Sequence, residues 1–221
     1  MAYLNLNKFH YFGFDESPIG GNSSGLVLAC TETDDSRLIE KRTNLLKAAD
    51  YIHLIREGEE IVVPSLFNMG LNGLSSYSWI RSNRGRSFCR QRAAHASIAQ
   101  LLMESEVDPR RMVVYIDEFF PPEYTKELLV EYMQRFYGVN LPRPNIQVIP
   151  GADRSIPLVN FADILAYRIA ASFRRTQNCY TGPGQRLPMV ELFSEQIVAS
   201  DQRVSTVAEE GRETLAFLLS A

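Results

Sequence analysis

The chain has 221 residues, 45% of them hydrophobic and 22% charged, which is ordinary globular usage and excludes a collagen-like or wholly disordered protein. Its 23 bases against 26 acids leave a net charge of −3, which excludes a uniformly cationic wrapper of nucleic acid but not a local basic patch. Three cysteines with no CxxC pair suggest neither a zinc ribbon nor a disulfide framework and suit a reducing compartment.

The opening MAYLNLNKFHYFGFDES lacks the apolar core of a secretory leader, and no run of about 18 apolar residues follows it. The expectation is a soluble cytoplasmic protein with no membrane partner. From Lys8 to Asp15 the aromatic-rich KFHYFGFD predicts a strand, and GLVLACTET (Gly25 to Thr33) predicts a second. With the glycine-rich loop around Gly20 and Gly21 between them, the simplest pairing is an antiparallel hairpin. Asp34, Asp35 and Ser36 offer N-caps to a helix on which Leu38, Leu45, Ala49 and Ile52 recur. A third strand falls at Glu60 to Leu66, where Pro64 argues for an edge, or at Tyr77 to Ile80.

Ser87 can cap a helix running to about Glu104, with Ile98, Leu101 and Leu102 on its buried stripe. The continuously apolar MVVYID (Met112 to Asp117) predicts a central parallel strand. Pro121 and Pro122 open the next helix and Gly138 closes it. A strand over Asn145 to Ile149 and a long helix from about Ser155 to Arg175 complete the main pattern. Beyond a linker holding Gly182-Pro183-Gly184, helices are expected over Met189 to Ala199 and Thr206 to Leu219. Residues 1–175 thus read as one α/β domain with a mixed sheet and helices on both faces, and 176–221 as a linker and helical appendage packed on it.

Two acidic pairs carry the chemistry. Asp15-Glu16 closes the first strand, and Asp117-Glu118 closes Met112 to Asp117. Both lie at C-terminal strand ends, the rim where open α/β sheets hold ligands. If these strands are parallel neighbours, Asp15 and Asp117 converge. Asp163 shares a helical stripe with Val159, Ala166, Tyr167 and Ala170, so its charge needs a partner: a cation, or an arginine such as Arg154 or Arg168. Asp153 is close by in a loop and ranks below it. Carboxylates gathered at one point call for a hard cation, Mg²⁺ or Mn²⁺, which in a two-metal arrangement supports in-line phosphodiester hydrolysis. Glu16 and Glu118 are candidates as further ligands or water orienters, although neighbouring strand residues face opposite ways.

The segments YFGFDES and PLVNFADILAYRI, in this order and placement, resemble the ribonuclease H-like superfamily. They are similar in particular to a widespread prokaryotic group with an Asp-Glu-Ser strand end and a late-helix Ala-Asp. The resemblance spans roughly residues 8 to 175. It implies a five-stranded mixed sheet, Mg²⁺ or Mn²⁺ held by Asp15, Asp117 and Asp163, and hydrolysis of DNA or RNA. The helix after Ser87 carries no acid before Glu104, where ribonuclease H proper supplies a glutamate; His95 lies on it instead. A catalytically silent domain of the same fold, binding nucleic acid or protein, is the second expectation.

Arg81, Arg84, Arg86, Arg90 and Arg92 form the densest basic run, with Tyr77, Trp79 and Phe88 beside it. Such a run can track phosphates while bases stack, and a solvated face accounts for it equally well. Nucleic acid is the expected partner, and a homodimer is compatible with the sequence.

Overall fold

The computed structural model describes residues 8–18, 25–43, 45–50, 75–82, 90–118, 121–176 and 197–204. Its strands are β1 (His10–Pro18), β2 (Gly25–Thr33), β3 (Ser75–Ser82), β4 (Met112–Asp117), β5 (Ile146–Ile149) and β6 (Ile197–Val204), and its long helices are α1 (Arg90–Glu104), α2 (Pro122–Tyr137) and α3 (Pro157–Thr176). They form one mixed sheet in the order β5-β4-β1-β2-β3-β6. β1 pairs parallel with β4 and β4 parallel with β5, while the β1–β2, β2–β3 and β3–β6 pairs are antiparallel.

Alternation along the strands sorts the two faces. Phe12 and Phe14 of β1, Leu28 and Cys30 of β2, and Met112, Val114 and Ile116 of β4 pack with Ile98 and Leu102 of α1 and Leu129 and Met133 of α2. On the other face, Tyr11, Tyr115 and Ile149 meet Leu158, Val159 and Phe161 of α3. Gly13 lies at the tightest point of that second layer. A Cβ built there would stand 2.8 Å from the backbone carbonyl of Leu158, so only glycine lets α3 approach β1 this closely. The Thr31 hydroxyl fixes the same contact by donating to Leu158 O at 2.7 Å.

α2 begins at Pro122 and ends where Gly138, at φ 66°, donates its N–H to Gln134 O, a left-handed cap that glycine adopts without strain. Val139 N–H adds a bond to Met133 O. The segment after β2 departs from expectation. Asp35 caps only a 3₁₀ turn, Ser36–Leu38, and helical backbone resumes at Ala48. Leu38 is drawn into the layer beneath α3, and Arg42 N–H bonds Ser155 O at 2.7 Å. Tertiary contacts thus hold this stretch out of a helix. Of the two sites considered for the third strand, Tyr77 to Ile80 lies within β3, and Glu60 to Leu66 lies outside the described residues.

The helix expected over Met189 to Ala199 is corrected at its C-terminal end, while residues 189–196 lie outside the described ones. Ile197 to Ala199 begin β6, which pairs with β3 from Ser75↔Val204 to Ser82↔Ile197. A β3 edge left open would expose unpaired backbone groups, and β6 covers it. The sheet therefore holds six strands among the described residues, one more than the resemblance implies, and the C-terminal portion contributes to the sheet. Thr206 to Leu219 lies outside the described residues.

Candidate metal centre

β1 and β4 run side by side in register, with Gly13 opposite Tyr115 and Phe14 opposite Ile116. One residue further on, Asp15 and Asp117 follow. β1 continues to Pro18 while paired only to β2, so Asp15 stands where the ladder to β4 ends and the backbone opens. Their phase with Gly13 and Tyr115 turns both carboxylates toward the α3 face. Chain order also reverses between these two strands: β2 and β3 extend to one side of β1, and β4 and β5 to the other. This is the switch point at which α/β sheets gather ligands.

The third member is Asp153. One carboxylate oxygen from each of Asp15, Asp117 and Asp153 lies within 4.8 Å of the others. Asp153 is fully buried on the 3₁₀ turn Ala152–Arg154 that follows β5. Gly151 enters this turn at φ 64°, and the Ala152 N–H donates to Asp117 Oδ1 at 2.8 Å. The turn thus supplies one acid and orients another.

Asp163 sits beside this group but is not one of the three. Its Oδ2 accepts the Ala48 N–H at 2.8 Å, at the first helical residue after the segment 45–47, as an N-cap does. Of the two arginines expected as partners, Arg154 pairs with Asp50 at 3.5 Å, and the side chain of Arg168 lies outside the described ones. Asn160, one turn before Asp163, donates from Nδ2 to Asp153 O at 2.7 Å and to Leu46 O at 2.8 Å. It ties turn, helix and segment 45–50 together.

Glu16 and Glu118 do not join the group. The Glu16 N–H donates to Asp15 Oδ1 at 2.6 Å, but the next residue along a strand faces the opposite way, and Glu118 is exposed. α1, which carries His95, packs on the opposite face of the sheet. Lys47, by contrast, is an unforeseen member. Its ammonium is ion-paired with Asp153 Oδ2, while Asp153 Oδ1 is buried with no hydrogen-bond partner.

The electrostatics follow from burial. Desolvation, then the charges of Asp163 and Asp117, raise the Asp15 carboxyl well above its ordinary value, against one backbone N–H from Glu16. Asp117 is raised by burial and by Asp153, with the Ala152 N–H and Lys47 opposing. Burial pushes Asp163 up to about 6, partly offset by the Ala48 N–H. Around Lys47 the balance has the other sign. Burial favours the neutral amine, yet Asp153, Asp117 and Asp15 together raise it above the ordinary value.

No protein-family model and no curated protein sequence matches the chain significantly.

The residues themselves fit a divalent cation. They offer only hard carboxylate oxygens, from three separate elements, in a largely buried cluster where like charges oppose one another. The unpartnered Asp153 Oδ1 is the donor most in need of a ligand. Of the basic run, Arg84 and Arg86 lie outside the described residues; Arg81 is in β3 and Arg90 opens α1, with side chains that are not described.

Proposed function

We propose that this chain is a metal-dependent nuclease of ribonuclease H-like architecture, hydrolysing phosphodiester bonds of DNA or RNA. The observation that carries the reading is the convergence of Asp15, Asp117 and Asp153 within 4.8 Å at the strand-order switch. A central β1, flanked by antiparallel β2 and β3 on one side and parallel β4 and β5 on the other, supports the fold assignment. Asp15, Asp117 and Asp153 would hold Mg²⁺ or Mn²⁺, with Asp163 supporting them from α3. When bound, such an ion neutralises the cluster, lowers the pKa of a water and polarises the scissile phosphate. The protein's own part is to fix the ligands. Ala152 N–H orients Asp117, Glu16 N–H orients Asp15, and Asn160 anchors the turn carrying Asp153. The basic run Arg81, Arg84, Arg86 and Arg90 would supply the phosphate contacts.

A catalytically silent binding domain of the same fold is the second reading, and the Lys47–Asp153 ion pair favours it, because an ammonium already compensates part of the cluster's charge. Cleavage of labelled single- and double-stranded DNA and RNA, in Mn²⁺ and in chelator, separates the two. Mn²⁺-dependent cleavage that disappears in folded Asp15→Asn and Asp153→Asn proteins is expected. Metal-independent cleavage, or full activity in either variant, would remove the cluster from the chemistry.

A further inference from the structure

Lys47 is the one cation ion-paired with the three-carboxylate group among the described residues. It lies in the short stretch between the 3₁₀ turn after β2 and the helical residues from Ala48, with nothing in its sequence surroundings to mark it. Two bonds fix the backbone on either side of it: Leu46 O accepts from Asn160, and Ala48 N–H donates to Asp163. Both anchors are on α3, the helix that closes over the acids. The Lys47 backbone is thus held at the rim while its side chain, 38% exposed, reaches in from solvent to the fully buried Asp153.

We propose that Lys47 is a resident counter-cation of the carboxylate cluster and that a divalent ion binds by displacing its ammonium. This deepens the metal-centre reading and rests on it. Asp153 Oδ2 cannot serve Lys47 and a metal ion equally well. A compact ammonium next to a bound dication would also repel it at close range. Displacement requires no backbone rearrangement, because the four-carbon stem of lysine rotates freely about a fixed Cα and the head group has solvent to enter. The exchange keeps the cluster compensated in both states: by Lys47 when metal is scarce, and by the metal when it is present. Released toward the rim, the ammonium would remain beside the site, where a phosphate oxygen of the substrate is the natural next anion.

The test compares wild type, Lys47→Met and Lys47→Arg. Mn²⁺ affinity is read by titration of the ion's magnetic resonance signal, and stability by melting in chelator at pH 8. Lys47→Met should bind Mn²⁺ at least about tenfold more tightly than wild type, since one competing charge is gone. It should also melt several degrees lower in chelator, and adding Asp153→Asn should recover most of that loss. Lys47→Arg, which keeps the charge, should resemble wild type in the melting arm. Equal or weaker Mn²⁺ affinity in Lys47→Met overturns displacement and makes Lys47 a support for the ligands. An unchanged melting point in chelator overturns the counter-cation role. Absence of Mn²⁺ binding in all three proteins instead overturns the metal-centre reading, and the chelator melts still decide what Lys47 does.

Discussion

Asp163 shows how one buried carboxylate links stability to pH. Its folded-state value is pushed up to about 6, from an ordinary 3.8, chiefly by burial. A carboxyl raised on folding stabilises the protein in its protonated form, below about pH 4, and that stability is lost as pH rises through about 6. The metal-free protein should therefore lose on the order of 2–3 kcal/mol between pH 4 and 7 from this residue. Urea midpoints in chelator at constant ionic strength measure it. Asp163→Asn should flatten that slope, since an amide oxygen still accepts the Ala48 N–H but does not titrate. The same variant should match or exceed wild type in chelator at pH 7 and gain less from added Mn²⁺. Asp163→Ala behaves differently, because it leaves the Ala48 N–H without its acceptor; a loss of about 1–2 kcal/mol relative to Asp163→Asn is expected at every pH. A wild-type slope that survives in Asp163→Asn would assign the pH dependence elsewhere.

At the scale of elements, the site depends on how closely α3 lies against β1. Gly13 permits that approach, Thr31 fixes it through Leu158 O, and α3 then brings Asn160 and Asp163 over the acids. Gly13→Ala places a methyl 2.8 Å from the Leu158 backbone carbonyl, which cannot yield as a side chain can, and 2.9 Å from Leu158 Cγ. The helix must move, at a cost of about 2–3 kcal/mol. The displaced helix should also weaken Mn²⁺ binding, although residue 13 is not a ligand. Denaturation and Mn²⁺ titration of the same preparation test the link. A stable Gly13→Ala protein with wild-type metal affinity would show that helix position and site geometry are independent. β4 illustrates a milder point about elements. Its apolar run suggests burial on both faces, but Val113, Tyr115 and Asp117 are only half-buried. A strand can read as continuously apolar and still leave one edge of its face open for a site.

For the whole molecule, a net charge of −3 and a buried acidic centre make binding of a polyanion depend on a local basic surface. The run from Arg81 to Arg92 is the densest supply of that charge. Replacing Arg84, Arg86 and Arg90 with Gln should weaken nucleic-acid binding and lower the slope of log affinity against log salt by roughly 0.7–0.9 for each phosphate that is no longer neutralised. Mn²⁺ binding should stay unchanged. An identical salt slope would make those arginines ordinary surface. No helix among the described residues is long and apolar enough to cross a membrane.

What the sequence by itself determined is local. Apolar runs bounded by turn residues located β1, β2, β4 and β5, and Pro121, Pro122 and Gly138 bounded α2 within a residue, because each signal acts over one element. The same locality put Asp117 at a strand end, where a parallel pairing would bring it to Asp15; Asp15 itself is not the end of its strand, because β1 runs on to Pro18 against β2. Only the tertiary structure decided the rest. It ranked Asp153 above Asp163, since a turn after β5 reaches the β4 end only through the β4–β5 pairing. It found Lys47, whose partner Asp153 is remote in sequence, and Asn160, whose two acceptors lie on different segments. It held residues 39–43 and 45–47 out of a helix and put Ile197 to Ala199 in a strand, because an apolar layer and an unpaired edge outweighed propensities of a few tenths of a kcal/mol per residue. Periodicity records which face of an element is buried; which acids meet there depends on how the elements pack.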